Sequence, residues 1–406
     1  MFFFLSKEII GPMLDTVQAA PADPILGLST IFAEDSNPEK INLGVGEYRA
    51  ADGSTPVLAS VKTAETRVVA ASTSKRYLDI QGTAEYGQVL RGLLFGDAST
   101  ALAERCATIQ APGGTGALRV AGDFVHTVFP GARLWLSNPT WANHPKIFAA
   151  AALETKSYPY YDGQARNVDL AAMIEALEGA QAGDVVLLHG CCHNPTGADL
   201  GLQQWSQVGD VLASKGLLPL VDFAYQGFGD GLEQDAAGLR ALLERVPEAL
   251  IASSFSKNFG LYRERVGALT AVAQTPAAAA NVMSRLKVCV RTNFSNPPAH
   301  GAAIVTEILA DQGLRSQWES EVAEMRDRIN DMRRLLVSRL KQHGAGDFSF
   351  IEQQRGMFSF SGLSPEQVAQ LRDQHSIYIV GSGRINVAGI TPDNVDSLCR
   401  AIAAVL

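Results

Sequence analysis

Short apolar runs alternate with helix-period stretches through the middle of this chain, and that alternation constrains the fold more than any other feature. The runs are Ala132–Leu136, Asp184–His189, Leu217–Val221 and Ala249–Ala252, each closed by a polar or Gly-rich turn. Between them lie helical patterns such as Asp169–Gly179 and Leu202–Lys215. Strand and helix in alternation imply βαβ units and an α/β, mostly parallel mixed sheet covered on both faces. Ligands of such sheets bind beyond the carboxyl ends of the strands. From about Ser316 the pattern changes. A charge-rich helical stretch, Trp318–Gln342, precedes strand-like pieces at Phe348–Ile351, Gly356–Phe360 and Ile377–Val380. This predicts a smaller α+β domain built from residues 13–55 and 321–406, beside a large domain over 56–320.

Length and charge fit that division. A chain of 406 residues exceeds one ordinary core. Its formal net charge is -8, with no basic stripe, so nucleic acid is not an expected partner. No apolar run approaches the ~20 residues that span a bilayer, so no membrane role is expected. Met1–Leu5 is apolar but lacks a basic flank before it, and Lys7 and Glu8 follow directly. Residues 1–12 therefore read as an extension, with Met13 an alternative start, and not as a secretory signal. Five cysteines, two of them adjacent, do not suggest a disulfide framework. A reducing cytoplasm is the expected compartment.

Several polar residues follow the apolar runs. Asp222 closes Leu217–Val221, where an acid is costly unless a cation meets it; alone it reads equally as a helix N-cap. Lys257, in Ser253–Gly260, follows Ala249–Ala252. Alone it reads as a surface lysine, whereas in a desolvated pocket it would be a nucleophile with a lowered pKa. Asn194 stands in the turn sequence His193-Asn-Pro-Thr-Gly197. Tyr225 could be an ordinary buried aromatic, and Arg265 could simply pair with Glu264. Gly113-Gly-Thr-Gly116 precedes the helical run Ala117–Val128 and would expose amides to an anion, or form a plain turn. Together they supply what pyridoxal 5′-phosphate requires: a lysine for the aldehyde, a carboxylate for the ring nitrogen and an anion cradle. Two rivals compete. Ser254-Phe-Ser-Lys257 matches an S-x-x-K acyl-enzyme motif, but its companion motifs are absent from the sequence. His189-Gly-Cys-Cys-His193 carries metal-ligand types but lacks a second cluster, so no metal is expected.

From about Ala20 to the C-terminus the chain resembles the class I aminotransferases of pyridoxal-phosphate fold type I, in particular the aspartate and aromatic aminotransferase group. The resemblance rests on Ala22–Gly27, Cys191–Gly197, Asp222–Phe228, Ser253–Gly260, Arg291–Gly301 and Gly383–Gly389, all in the family's order. It implies that Lys257 binds the cofactor aldehyde and moves the proton. Asp222, oriented by His144, would pair with the ring nitrogen. Asn194 and Tyr225 would bond the phenolic oxygen, and Trp141 would stack on the ring. Gly114, Thr115, Ser254 and Arg265 would hold the phosphate. It further implies a homodimer with shared active sites: Tyr77 would reach the neighbour's phosphate and Arg291 the neighbour's distal substrate carboxylate. Arg384 would clamp the α-carboxylate, and Gly46 would lie over the substrate. Thr115 and Asn296 resemble the aspartate-preferring pattern. Glu47 and Arg49 depart from it, and a solvent-facing Glu47 is the expectation. The implied reaction is ping-pong transfer between L-aspartate, with aromatic L-amino acids also accepted, and 2-oxoglutarate. Aromatic donors as the preferred substrates are the alternative.

Overall fold

A computed structural model describes residues 13–20 and 26–406. The extension expected at 1–12, and Ala22–Ile25 of the first resembling segment, lie outside the described residues. The centre is a seven-stranded sheet in the order 106–112, 266–272, 249–254, 218–223, 185–189, 134–138, 155–159. Strand Val266–Val272 runs antiparallel to both neighbours, and the other adjacent pairs are parallel. The expected mostly parallel mixed sheet is therefore present.

The central strands have no polar face. Val186, Leu188, Val221 and Ile251 enter one apolar cluster, while Val185, Leu187, Leu220 and Leu250 enter the other. Continuous apolar runs are what burial on both faces demands. Helices cover both sides. Leu170–Glu178 starts at Asp169, whose carboxylate accepts from the Ala172 N–H. Leu202–Lys215 stops at Gly216, which has φ +63°.

Asp184, at the amino end of strand Val185–His189, is only 3% exposed in its side chain. It accepts from Arg133 at 2.6 Å and from the Trp135 indole at 2.9 Å. Burial alone would raise its pKa, but these donors outweigh burial and hold it at about 2. Its folded pKa is depressed, so its stabilisation is complete above the ordinary carboxylate value and fades as pH falls through about 2. Asp184→Asn should cost about 2 kcal/mol at neutral pH. Denaturant unfolding at pH 7 and pH 3 should show the gap between wild type and variant narrowing in acid.

The N- and C-terminal segments meet beside this sheet. Ile41–Asn42 pairs in parallel with Ile377–Tyr378, and Phe358–Phe360 pairs antiparallel with Arg384–Asn386. The Asn386 N–H donates to the Leu43 carbonyl, threading the 43–47 segment past Arg384. Helix Gln312–Gln342 bridges the two regions. Its Trp318 stacks on Phe259 at 4.3 Å and donates to the Asn258 carbonyl.

One expected strand is not there. Residues Phe348–Ile351 do not form a strand; a short helix, Phe350–Gln353, takes the place of its second half. Gly346 has φ +85°, and the Asp347 carboxylate accepts from the Ser349 N–H, so the chain coils instead of extending. Phe348 and Ile351 are both buried, at a spacing that fits one helical turn.

Candidate active site

A cavity of about 360 Å³ opens at the carboxyl ends of the central strands. Gly46, Gly114, Thr115, Trp141, Asn194, Asp222, Tyr225, Ser254, Lys257 and Arg265 all line it. The parallel sheet assembles them. Asp222, the penultimate residue of its strand, is in register with His189 on one neighbour and Ala252 on the other, and Lys257 lies three residues past the end of Ala249–Ser254.

Asp222 is not a helix cap. Its carboxylate meets His144 Nε2 at 3.1 Å, and His144 is fully buried. Behind His144 runs a chain of hydrogen bonds. The Asn194 N–H donates to His189 Nδ1 at 3.2 Å. Burial pushes the His189 pKa down to about 3, so the ring is neutral and its proton sits on Nε2. That N–H faces Thr140 Oγ1, which can then donate to His144 Nδ1 at 2.8 Å. His144 is left with Nε2–H toward Asp222. Burial by itself raises the Asp222 pKa, but the His144 hydrogen bond and nearby positive charge outweigh it and hold the group below the usual range.

Lys257 is not a free surface lysine. Desolvation pulls its pKa down to about 8, with Arg265 and Arg384 adding to the shift and Asp222 opposing it. Its Nζ lies 4.8 Å from the Tyr225 ring centre. The amine is therefore poised to lose its proton near neutral pH.

The anion cradle is built at the start of helix Gly113–Val128, whose first turn consists of the glycines themselves. Gly113 has φ +72°, and a Cβ there would come within 2.4 Å of the Arg265 guanidinium. Arg265 does not pair with Glu264; it donates to the Tyr262 carbonyl at 2.8 Å, and its own φ is +55°. Exposed amides, the helix N-terminus and a guanidinium converge on one point. Trp141 packs edge-on against His144 at 5.2 Å.

Arg384, 3% exposed, donates to Asn194 Oδ1 at 3.2 Å and to the Gly44 carbonyl at 2.7 Å. Its guanidinium lies 4.2 Å over Phe358, and its Nε has no partner. Burial lowers its pKa to about 10, so it stays cationic at pH 7.

Glu47 is half-exposed at the edge of the cavity; burial raises the pKa of Tyr262, which lines the same cavity, and the Glu47 charge adds to that shift. Arg49 goes the other way, into a separate cleft beside Asp393 and Lys40. The Asn386 amide accounts for this: it donates to the Val45 and Glu47 carbonyls and sets the turn of the segment. Sequence reading passed over Thr140, and over Tyr262, whose hydroxyl accepts from the Tyr48 N–H at 2.8 Å. A tyrosine eight residues from a strand end carries no local signal of this.

Tyr77, Arg291 and Asn296 do not line this chain's cavity. Tyr77 is 92% exposed. Arg291, exposed in the last turn of helix Pro276–Asn293, donates to Ser295, and Asn296 donates to the Leu78 carbonyl at 2.7 Å, next to Tyr77. The three therefore sit on one outer face.

The rivals fare less well. Ser254 Oγ bonds Ser256, and no bond joins it to Lys257 among the described residues. His193 is buried between Ser137 and Thr196 and stacks on His189 and Tyr160, so its nitrogens are already engaged. Pyridoxal 5′-phosphate, by contrast, fits: a desolvated amine, a buried ionised carboxylate and a cradle that any Cβ would fill stand around one cavity.

Comparison with known proteins agrees. The family described as "Aminotransferase class I and II" matches residues 38–402. The chain is 53% identical to "Aspartate aminotransferase" of Escherichia coli (strain K12) over 396 residues, covering 97% of this chain and 100% of that protein. It is 50% identical to "Aromatic-amino-acid aminotransferase" of Pseudomonas aeruginosa, covering 96% and 98%. Among solved structures, the aromatic-amino-acid aminotransferase from Burkholderia pseudomallei covalently bound to pyridoxal phosphate superposes with a TM-score of 0.95 at 48% identity, covering 98% of this chain and 100% of that one. The aspartate aminotransferase from Saccharomyces cerevisiae cytoplasm gives 0.94 at 37% identity, covering 97% and 98%. A sheet that gathers a lysine, a carboxylate and a glycine cradle at its carboxyl edge, and relatives that match along almost the whole length, lead to one assignment: this chain belongs to the class I and II aminotransferases, which are pyridoxal-phosphate enzymes.

Proposed function

We propose that this enzyme transfers the amino group between L-aspartate and 2-oxoglutarate by a ping-pong route, with appreciable turnover of aromatic L-amino acids. The observation that carries the reading is the desolvated Lys257 amine, in a cavity shared with Asp222 and with Asn194, to which Arg384 donates. The cofactor, when bound, supplies an electron sink for the bond broken at Cα. Lys257 would hold it covalently, then take the Cα proton as a neutral amine and return it to the cofactor carbon. Asp222 would keep the ring nitrogen protonated, steadied by His144. Asn194 and Tyr225 would face the ring oxygen. Gly114, Thr115, Ser254 and Arg265 would hold the phosphate, with Trp141 over the ring. Arg384, bonded to the lining residue Asn194, would clamp the α-carboxylate. Gly46 would close over the substrate.

The enzyme would act as a cytoplasmic homodimer in which Tyr77 and Arg291 complete the neighbour's site and Asn296 supports Tyr77. Its small domain would comprise residues 13–55 and 321–406, with the boundary near 320 falling inside helix Gln312–Gln342. Among the described residues no helix is long and apolar enough to cross a membrane. Values of kcat/KM for aspartate, tyrosine and phenylalanine test the substrate order, and a preference for tyrosine over aspartate would overturn it.

Glu47 favours a second reading, in which aromatic donors are preferred. A carboxylate on the cavity wall repels a substrate's distal carboxylate and leaves an aromatic ring unaffected. At an effective dielectric of ~20, two charges some 8 Å apart interact by about 2 kcal/mol. Solvent screening of the half-exposed Glu47 leaves about 1.4 kcal/mol of this, so Glu47→Val should raise kcat/KM for aspartate by about tenfold relative to phenylalanine. An unchanged ratio would remove Glu47 from substrate selection.

A further inference from the structure

Behind the catalytic loop lies a second and larger cavity, of about 520 Å³. The hairpin Tyr161–Asp162/Asn167–Val168 and the 198–199 turn form one side of it, and helices Gln312–Gln342 and Phe350–Gln353 form the other. Arg166, Arg333, Arg334 and Arg355 line it, against Asp199, Asp230 and Glu352. Two of the arginines are already paired: Arg355 with Asp230 at 2.7 Å, and Arg334 with Asp331 at 2.5 Å. Asp199 already accepts from the Cys192 and His193 amides at 2.7 and 2.8 Å.

The other two arginines are left with donors and no acceptor. Arg333 is 1% exposed and clamps the Ile351, Gly356 and Phe358 carbonyls, yet its Nε has no partner. The Arg166 guanidinium lies over Phe350, 4.0 Å from the ring centre, and its Nη1 has no partner either. Gln354 spends its carbonyl on the Ser359 hydroxyl and its amide on the Tyr161 hydroxyl. Both unpaired arginine nitrogens in this wall are donors, and buried donors call for an acceptor. Arg384, the residue assigned to the substrate carboxylate, carries the same mark of an unpaired Nε.

We propose that this cavity is a second ligand site, for a small oxyanion such as a carboxylate or phosphate group, gripped between Arg166 on the hairpin and Arg333 on the opposite wall. Its position relates it to catalysis. The Arg355 N–H donates to the Gly197 carbonyl at 2.7 Å, and a Cβ on Gly356 would strike Cys192 at 2.4 Å, so this wall rests directly on the loop that carries Asn194. A bound anion would tie the hairpin to the C-terminal helices across that loop.

The test is calorimetric titration of the cofactor-loaded Arg384→Ala enzyme, whose substrate-carboxylate clamp is gone, with inorganic phosphate and, separately, with malonate. Saturable binding should persist in this variant and weaken at least about fivefold when Arg166→Ala, or Asn330→Glu, which adds a carboxylate to the wall, is introduced into it. In otherwise wild-type enzyme, kcat without added anion should be unchanged in Arg166→Ala. Tighter phosphate would mark a phosphorylated ligand and tighter malonate a carboxylate, either through Arg166. Binding that survives both wall variants, vanishes in Arg384→Ala, or never saturates with either anion would overturn the proposal.

Discussion

Lys257→Ala is expected to lower kcat for transamination by at least about 10⁴-fold, because one substitution removes both the covalent anchor and the proton carrier. Its environment makes the prediction specific. The amine's pKa is pulled down to about 8 by desolvation, so a sizeable fraction is neutral at working pH. A lysine at its ordinary value would be almost wholly protonated there. Capture of pyridoxal phosphate by apoprotein should therefore rise with pH through a midpoint near 8. Borohydride reduction and peptide mapping should place the cofactor on Lys257. A midpoint at 10 or above, or a reduced cofactor attached elsewhere, would defeat the assignment.

The second large effect concerns Asp222. Removing one member of a buried charge pair costs roughly 3–5 kcal/mol, because the other charge is stranded. Spent in the transition state, that is a loss of about 10²–10⁴-fold in kcat for Asp222→Ala. Asp222→Glu should recover part of it, since the charge returns but the 3.1 Å contact with His144 is displaced. The folded pKa of Asp222 is depressed, so the ionised form persists at neutral pH and is lost only in acid. If Asp222→Ala kept wild-type kcat while binding cofactor normally, Asp222 would have no part in holding the ring nitrogen.

Much of the frame was legible beforehand. Leu217–Val221 and Ala249–Ala252 were read as strands because an apolar run bounded by turns has few other fates, and both proved central. The polar residues after them were legible as a set only because parallel strands point the same way. Phe348–Ile351 misled because alternating aromatics imitate a strand, while the coil set by Gly346 and Asp347 depends on local hydrogen bonding. The place of Glu47 was not legible for a related reason: it lies in an irregular segment with no period to say which side chain faces inward.

By itself, then, the sequence determined the mostly parallel sheet and the residue types that carry the chemistry, since apolar periodicity and side-chain chemistry are local properties. Only the tertiary structure decided what those residues meet. Arg384 reaches Asn194 across 190 positions, and His144 reaches Asp222 across 78. The different clefts beside Glu47 and Arg49 and the run of bonds from Asn194 through His189 and Thr140 belong to the same class. Some of these contacts arise where the two ends of the chain meet beside the sheet and others between its strand ends, and a hydrogen bond's short range makes each of them depend on the packing of the whole.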